Sequence, residues 1–88
     1  MKVKSIQMER IFRLSANGVK LYEQSGIIRP KRNSGNRYRE YSETDMQMLG
    51  ASLQYRGYGF SVQETARIVR EMDVREQLRV MQERSEEL

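Results

Sequence analysis

The apolar residues of this chain recur at spacings of three and four in short groups, and a helix stop or a fresh helix cap closes each group. That pattern admits a set of brief helices and little else. Ile6, Met8, Ile11 and Phe12 predict a first short helix with one apolar face. Ser15 is placed to cap a second, which runs to about Ser25, with Gly26 as its stop and Pro30 barring any resumption. The break between the two is only a few residues long.

After Pro30, the cluster Ser34-Gly35-Asn36 predicts a turn, and the alternating Arg37-Tyr38-Arg39-Glu40-Tyr41 predicts a strand, together a β-hairpin. Ser42 then caps a helix carrying Met46, Leu49 and Leu53 and ending near Gly57-Tyr58-Gly59. Ser61 with Glu64 forms a capping box for the next, whose buried stripe is Val62, Thr65 or Ala66, Ile68, Val69 and Met72. Asp73 and Glu76 open the last helix. Val74, Leu78, Met81 and Leu88 recur along it, with Ser85 in the missing heptad place. So narrow a seam suits pairing with another helix better than packing on a globular core. The seam is still running at Leu88, so the pairing element is either short or part of a longer chain.

Composition narrows the function classes. With 88 residues the chain makes one small domain, and Leu, Ile, Val and Phe number only 19, so the core is expected to be thin and to want partner surface. There is no cysteine and no histidine, which removes zinc fingers, iron–sulfur sites, disulfide scaffolds and the usual nucleophile and base of hydrolases. No cofactor is expected and an enzyme is not. No apolar run is long enough for a signal peptide or a membrane span, so the expectation is a soluble, cytoplasmic protein without a membrane partner.

Charge is divided unequally. Residues 1–41 hold ten Lys or Arg against Glu9, Glu23 and Glu40, a net of +7, whereas residues 42–88 hold six Arg against nine acids, a net of −3. Arg29, Lys31, Arg32, Arg37 and Arg39 fall together without an intervening acid. One positive pole is the footprint of a surface that meets a polyanion; a merely solvated basic loop is the plainer alternative. Two short helices joined by a tight turn also read as helix-turn-helix, whose second helix enters the major groove.

Taken in order, Tyr22-Glu23-x-x-Gly26-Ile27-Ile28-x-Pro30-x-Arg32, then Tyr38-Arg39-x-Tyr41-Ser42 with Asp45, then Arg56-x-x-Gly59-Phe60-Ser61, resemble the MerR family of bacterial transcription regulators. The likeness runs from Ser15 to about Ile68, and the segment from Asp73 resembles the start of the family's dimerisation helix. It departs at Arg13 and Arg37, where the family often has glycine, and at Gly18, early in the recognition helix. The resemblance implies a mainly α, winged helix-turn-helix fold with a short β-hairpin wing, followed by a C-terminal dimerisation helix. Residues 1–72 would form the DNA-binding domain and residues 73–88 the start of the coiled-coil helix. It further implies sequence-specific binding of double-stranded DNA by a homodimer at a pseudo-palindromic promoter site, with RNA polymerase as a partner. Cysteine-based metal sensing is excluded within these residues.

For DNA contact the expected residues are Ser15, Asn17, Lys20, Tyr22, Arg32, Arg37, Tyr38, Arg39 and Arg56. Asn17 and Lys20 lie one turn apart, with Val19 and Leu21 read as the opposite face, and suit adenine and guanine edges respectively; solvated surface is the alternative. Tyr22 resembles a family tyrosine that meets phosphate, or else packs in the core. Glu23 would be repelled by phosphate and is expected to pair with a basic side chain. The wing residues Arg32, Arg37, Tyr38 and Arg39 are placed for phosphate oxygens. Arg56 matches a backbone-contacting arginine, or makes an intramolecular ion pair. Val74, Leu78, Met81 and Leu88 are the expected dimer contacts. The competing function is a MerR-like protein-binding adaptor or an excisionase-like architectural DNA binder. An adaptor has no need of a +7 pole.

Overall fold

The computed structural model describes residues 2–32, 35 and 38–87. Short strand β1 (Val3–Lys4) leads into α1 (Ser5–Phe12) and α2 (Ala16–Gln24); β2 (Lys31–Arg32) and β3 (Arg39–Tyr41) follow, then α3 (Glu43–Gly57), α4 (Val62–Glu71) and α5 (Val74–Glu87). The result is mainly helical with a small antiparallel sheet ordered β1-β3-β2. Lys31 faces Glu40 and Arg32 faces Arg39 across the hairpin, while Val3 faces Tyr41 on the other side of β3. The alternation at Arg39–Tyr41 foretold the hairpin; β1, two residues long and paired to a strand more than thirty residues away, left no local signature.

The helix starts are where the small polar residues lie. Ser15 Oγ accepts from Gly18 N at 3.0 Å, and Ser61 and Glu64 cap each other's backbone at 3.1 and 2.9 Å. Asp73 accepts from Glu76 N at 2.8 Å. Between α1 and α2, Arg13 takes the left-handed conformation (φ 55°), and Leu14 N closes onto Glu9 O at 2.9 Å. This is the turn geometry for which glycine is the default residue, so the arginine meets it at a backbone cost. Helix α2 ends in the same way on a glycine: Gly26 has φ 83°, and Ile27 N reaches Tyr22 O at 3.1 Å.

The main core joins Val3, Met8, Val19, Tyr22, Ile27, Ile28, Tyr41, Leu49 and Val62. A second, smaller cluster of Tyr55, Phe60 and Ile68 lies where α3, α4 and α5 meet. Two expected faces need correction. In α1 the buried residue is Met8, backed by Phe12, whereas Ile6 and Ile11 are exposed; Ile6 and Met8 are two residues apart and so point to opposite sides of a helix. In α2, Leu21 is not opposite Lys20 but beside it, 45% exposed.

Candidate nucleic-acid interface

Helix α2 buries Val19 and Tyr22 and leaves Ala16, Asn17, Lys20, Leu21 and Gln24 outside. Asn17, Lys20, Leu21 and Gln24 follow the i, i+3, i+4, i+7 rule and make one continuous face. Leu21 and Gln24 were not among the expected contacts, although the helical spacing from Asn17 contains both. The half-buried Gly18 has the Leu14 and Ser15 side chains 3.4 to 3.6 Å from where its Cβ would sit, so it lies against the turn rather than on the outer face. Tyr22 packs in the core and is only 5% exposed.

Glu23 ties this helix to the wing. Tyr41 donates its hydroxyl to Glu23 Oε1 at 2.5 Å, and Arg39 Nη1 lies 3.5 Å from Glu23 Oε2. The carboxylate is only 13% exposed. Ser5 Oγ is 3.3 Å from the same tyrosine hydroxyl. Burial first, and then the hydrogen bond to Glu23, pushes the Tyr41 phenol up to about 12. The pairing of Glu23 with a basic side chain, expected from the repulsion a carboxylate would meet near phosphate, is therefore made within the domain by Arg39.

The base of the wing is fixed from α3. The buried Asp45 carboxylate accepts from Arg29 N at 2.9 Å and from Ser42 N at 3.0 Å, and Asp45 N donates to Ser42 Oγ at 3.1 Å. One side chain thus caps α3 and holds the backbone entering β2. Arg29, Lys31 and Arg32 carry their side chains exposed. Across the sheet, Arg32 and Arg39 oppose each other as like charges, an unfavourable pairing that Glu23 relieves on one side. Tyr38 is exposed at the wing, with Lys4 Nζ 5.5 Å from its ring centre. Arg37 lies outside the described residues.

Arg56 makes a hydrogen bond rather than an ion pair: its Nη1 donates to Phe60 O at 2.7 Å, closing the α3–α4 turn, while the residue as a whole stays exposed. Ser15, Asn17, Lys20, Arg32 and Tyr38 are also exposed. On α5, Val74 and Leu78 are 72% and 60% exposed, while Met81 is half-buried against the Tyr55–Phe60 cluster. A groove of about 310 Å³ lined by Tyr58, Leu78, Met81, Gln82 and Ser85 continues from this seam. Leu88 lies outside the described residues.

Residues 4–72 match the model of the MerR HTH family regulatory proteins. The chain belongs to that family. It is 41% identical over 56 residues to the HTH-type transcriptional regulator HmrR of Rhizobium leguminosarum bv. viciae, covering 64% of this chain and 43% of HmrR. It is 30% identical over 60 residues to CueR of Escherichia coli O157:H7, covering 68% of this chain and 44% of CueR. It thus spans less than half the length of these relatives. Among solved structures, a MerR-family regulator from Bacillus cereus superposes with a TM-score of 0.78 at 19% identity, over 98% of this chain and 66% of that one. HiNmlR, a MerR-family regulator lacking the sensor domain and solved bound to promoter DNA, gives 0.76 at 17% identity, over 98% of this chain and 69% of its own. These likenesses establish the fold as the winged helix-turn-helix of MerR regulators. Among the described residues, no helix is long and apolar enough to cross a membrane.

Proposed function

We propose that this MerR-family chain binds double-stranded DNA in the cytoplasm as a homodimer, at a pseudo-palindromic promoter site that it shares with RNA polymerase. Residues 1–72 are the reading unit and residues 73–88 begin the pairing element. The observation that carries this reading is the outer face of α2, where Asn17, Lys20 and Gln24 stand exposed while Val19 and Tyr22 anchor the helix to the core. Amide and ammonium groups on a projecting helix suit the donor and acceptor pattern of the major groove. Lys31, Arg32, Arg37 and Tyr38 serve phosphate oxygens, Ser15 and Arg56 flank them, and the buried Tyr22 takes at most one further contact. Arg39 acts chiefly by holding Glu23. That a related regulator of the same fold was solved on promoter DNA supports the reading.

The homodimer is supported by the exposed Val74 and Leu78 and by the groove beside them, into which the same helix of a second copy can lie. Selection from random DNA duplexes tests both parts: the wild type is expected to enrich two inverted half-sites. Leu78→Asp is expected to shift sedimentation toward monomer and to abolish the two-site preference. A selection that enriches nothing overturns the DNA reading. Inverted sites bound equally well by a monomeric Leu78→Asp variant overturn the dimer.

A further inference from the structure

Helix α5 has no buried residue, yet it is fastened to the domain at two points two turns apart. At its first turn, Gln77 Oε1 accepts the Tyr55 hydroxyl at 3.0 Å and Gln77 Nε2 donates to Met72 O at 2.9 Å. At its last turn, the Arg84 guanidinium carbon lies over Phe60, 3.9 Å from the ring centre, and Nη1 donates to Tyr58 O at 3.4 Å. Glu64 at 4.0 Å and Glu87 at 3.7 Å complete its charge environment. The two anchors meet one object, because Tyr55 and Phe60 pack edge to face at 6.1 Å between their centres. Gln77, Tyr55, Phe60 and Arg84 therefore form one continuous chain of contacts from the helix to the α3–α4 turn and back.

Two anchors seven residues apart, about 10 Å along a helix, define a direction where one would define only a pivot. Gln77, Val80 and Arg84 face inward, roughly 100° round the helix from Val74 and Leu78, with Met81 between the two faces. What fixes the inner face consequently fixes where the outer seam points. The helix is about 21 Å long, so a tilt of about 10° displaces its far end by close to 4 Å, slightly more than the ~3.4 Å rise of one base pair.

We propose that Arg84 and Gln77 are positioning residues that set the separation of the two DNA half-sites, by holding α5 at a fixed angle to the aromatic pair Tyr55–Phe60. The proposal rests on the reading of α5 as the homodimer helix. This role requires of neither residue a contact with DNA or with the second copy. They act on recognition through the direction of the lever.

The test takes the inverted-site duplex enriched by the wild type and lengthens or shortens its centre by single base pairs. Wild type is expected to lose roughly tenfold in affinity or more for each step. Arg84→Ala is expected to bind an isolated half-site as wild type does, yet to discriminate spacings by less than about threefold. Phe60→Leu removes the ring from the other side of the contact and is expected to flatten the profile equally, and the double variant no further, since both changes break one contact. Circular dichroism and sedimentation at the binding concentration confirm folded dimers. An Arg84→Ala profile as sharp as wild type overturns the positioning role while leaving DNA recognition standing. A profile flattened only because the variant binds as a monomer overturns it as well. A wild type with no preference for any spacing removes the two-site reading itself, and the proposal with it.

Discussion

Replacing Tyr41 by Phe removes one oxygen from the junction between the recognition helix and the wing. In the wild type that hydroxyl donates to Glu23 Oε1 at 2.5 Å and lies 3.3 Å from Ser5 Oγ. A hydrogen bond to a charged partner contributes about 1.5 to 3 kcal/mol, and among the described residues Glu23 would keep Arg39, at 3.5 Å. Tyr41→Phe is therefore expected to cost about 1.5 to 3 kcal/mol at neutral pH, read as a lower urea midpoint with an unchanged slope.

Burial of the same hydroxyl, and after it the bond to Glu23, sets a pH dependence whose sign is opposite to that of a carboxylate. The folded Tyr41 phenol is raised from 10.0 to about 12, so in that window the unfolded chain gives up its proton first and binds fewer protons than the native one. The phenol's contribution to stability is fully present below pH 10 and is lost as the pH climbs toward about 12. A shift of this size corresponds to about 3 kcal/mol. Every other group is common to both proteins, so the difference between wild type and Tyr41→Phe isolates the phenol: it should be constant up to pH 10 and shrink above it. A variant within about 0.5 kcal/mol of wild type at neutral pH, or a difference that stays flat across the alkaline window, would refute the argument that this hydroxyl holds the wing to α2.

Asn17→Ala is expected to cost about 1 to 3 kcal/mol of preference for the selected operator over scrambled DNA, with non-specific affinity nearly unchanged; competition binding on the two duplexes measures it. Lys31 and Arg32 replaced together by Gln should weaken both duplexes alike and make the slope of log K against log salt shallower by ~1.8, whereas Arg39→Gln, already paired to Glu23, should change the slope by distinctly less. Arg13→Gly should raise the thermal midpoint, because relief of the left-handed φ of 55°, about 1 to 2 kcal/mol, exceeds the extra chain entropy of glycine, about 0.4 to 1 kcal/mol.

What was legible in the sequence was what is decided within one turn of chain. Ser15, Ser42, Ser61 and Asp73 each cap a helix from a position three residues before the amide they accept, and such pairs are visible to anyone reading in steps of three. The wing hairpin was visible for the same reason. Strand β1 was not, since its pairing with β3 is settled by tertiary register. The inner face of α5 was missed because polar residues make much of it: Gln77 and Arg84 do the fastening, and an apolar-periodicity reading sees only the seam of Val74, Leu78 and Met81. Leu21 was misplaced because it was read by its chemistry rather than by its angle on the helix.

Charge counting located the positive half of the chain but not what the cations of either half engage. In the second half of the chain, Arg56, Arg70 and Arg84 donate to the carbonyls of Phe60, Gly26 and Tyr58, so these arginines bind turns and helix ends together inside the domain. Arg70 reaches from α4 to the glycine that ends the recognition helix, which makes even that cation part of the scaffold presenting α2. In the first half, Lys20, Arg29, Lys31 and Arg32 stand exposed on the recognition helix and the wing. Three arginines of the net-negative half thus engage backbone carbonyls, while Arg67, Arg75 and Arg79 of that half are exposed, as are Lys20, Arg29, Lys31 and Arg32 of the net-positive one. Of the two arginines that face each other across the wing, Arg39 is held by Glu23 while Arg32 stands exposed. On the proposed reading, a phosphate backbone supplies negative charge beside that exposed cation.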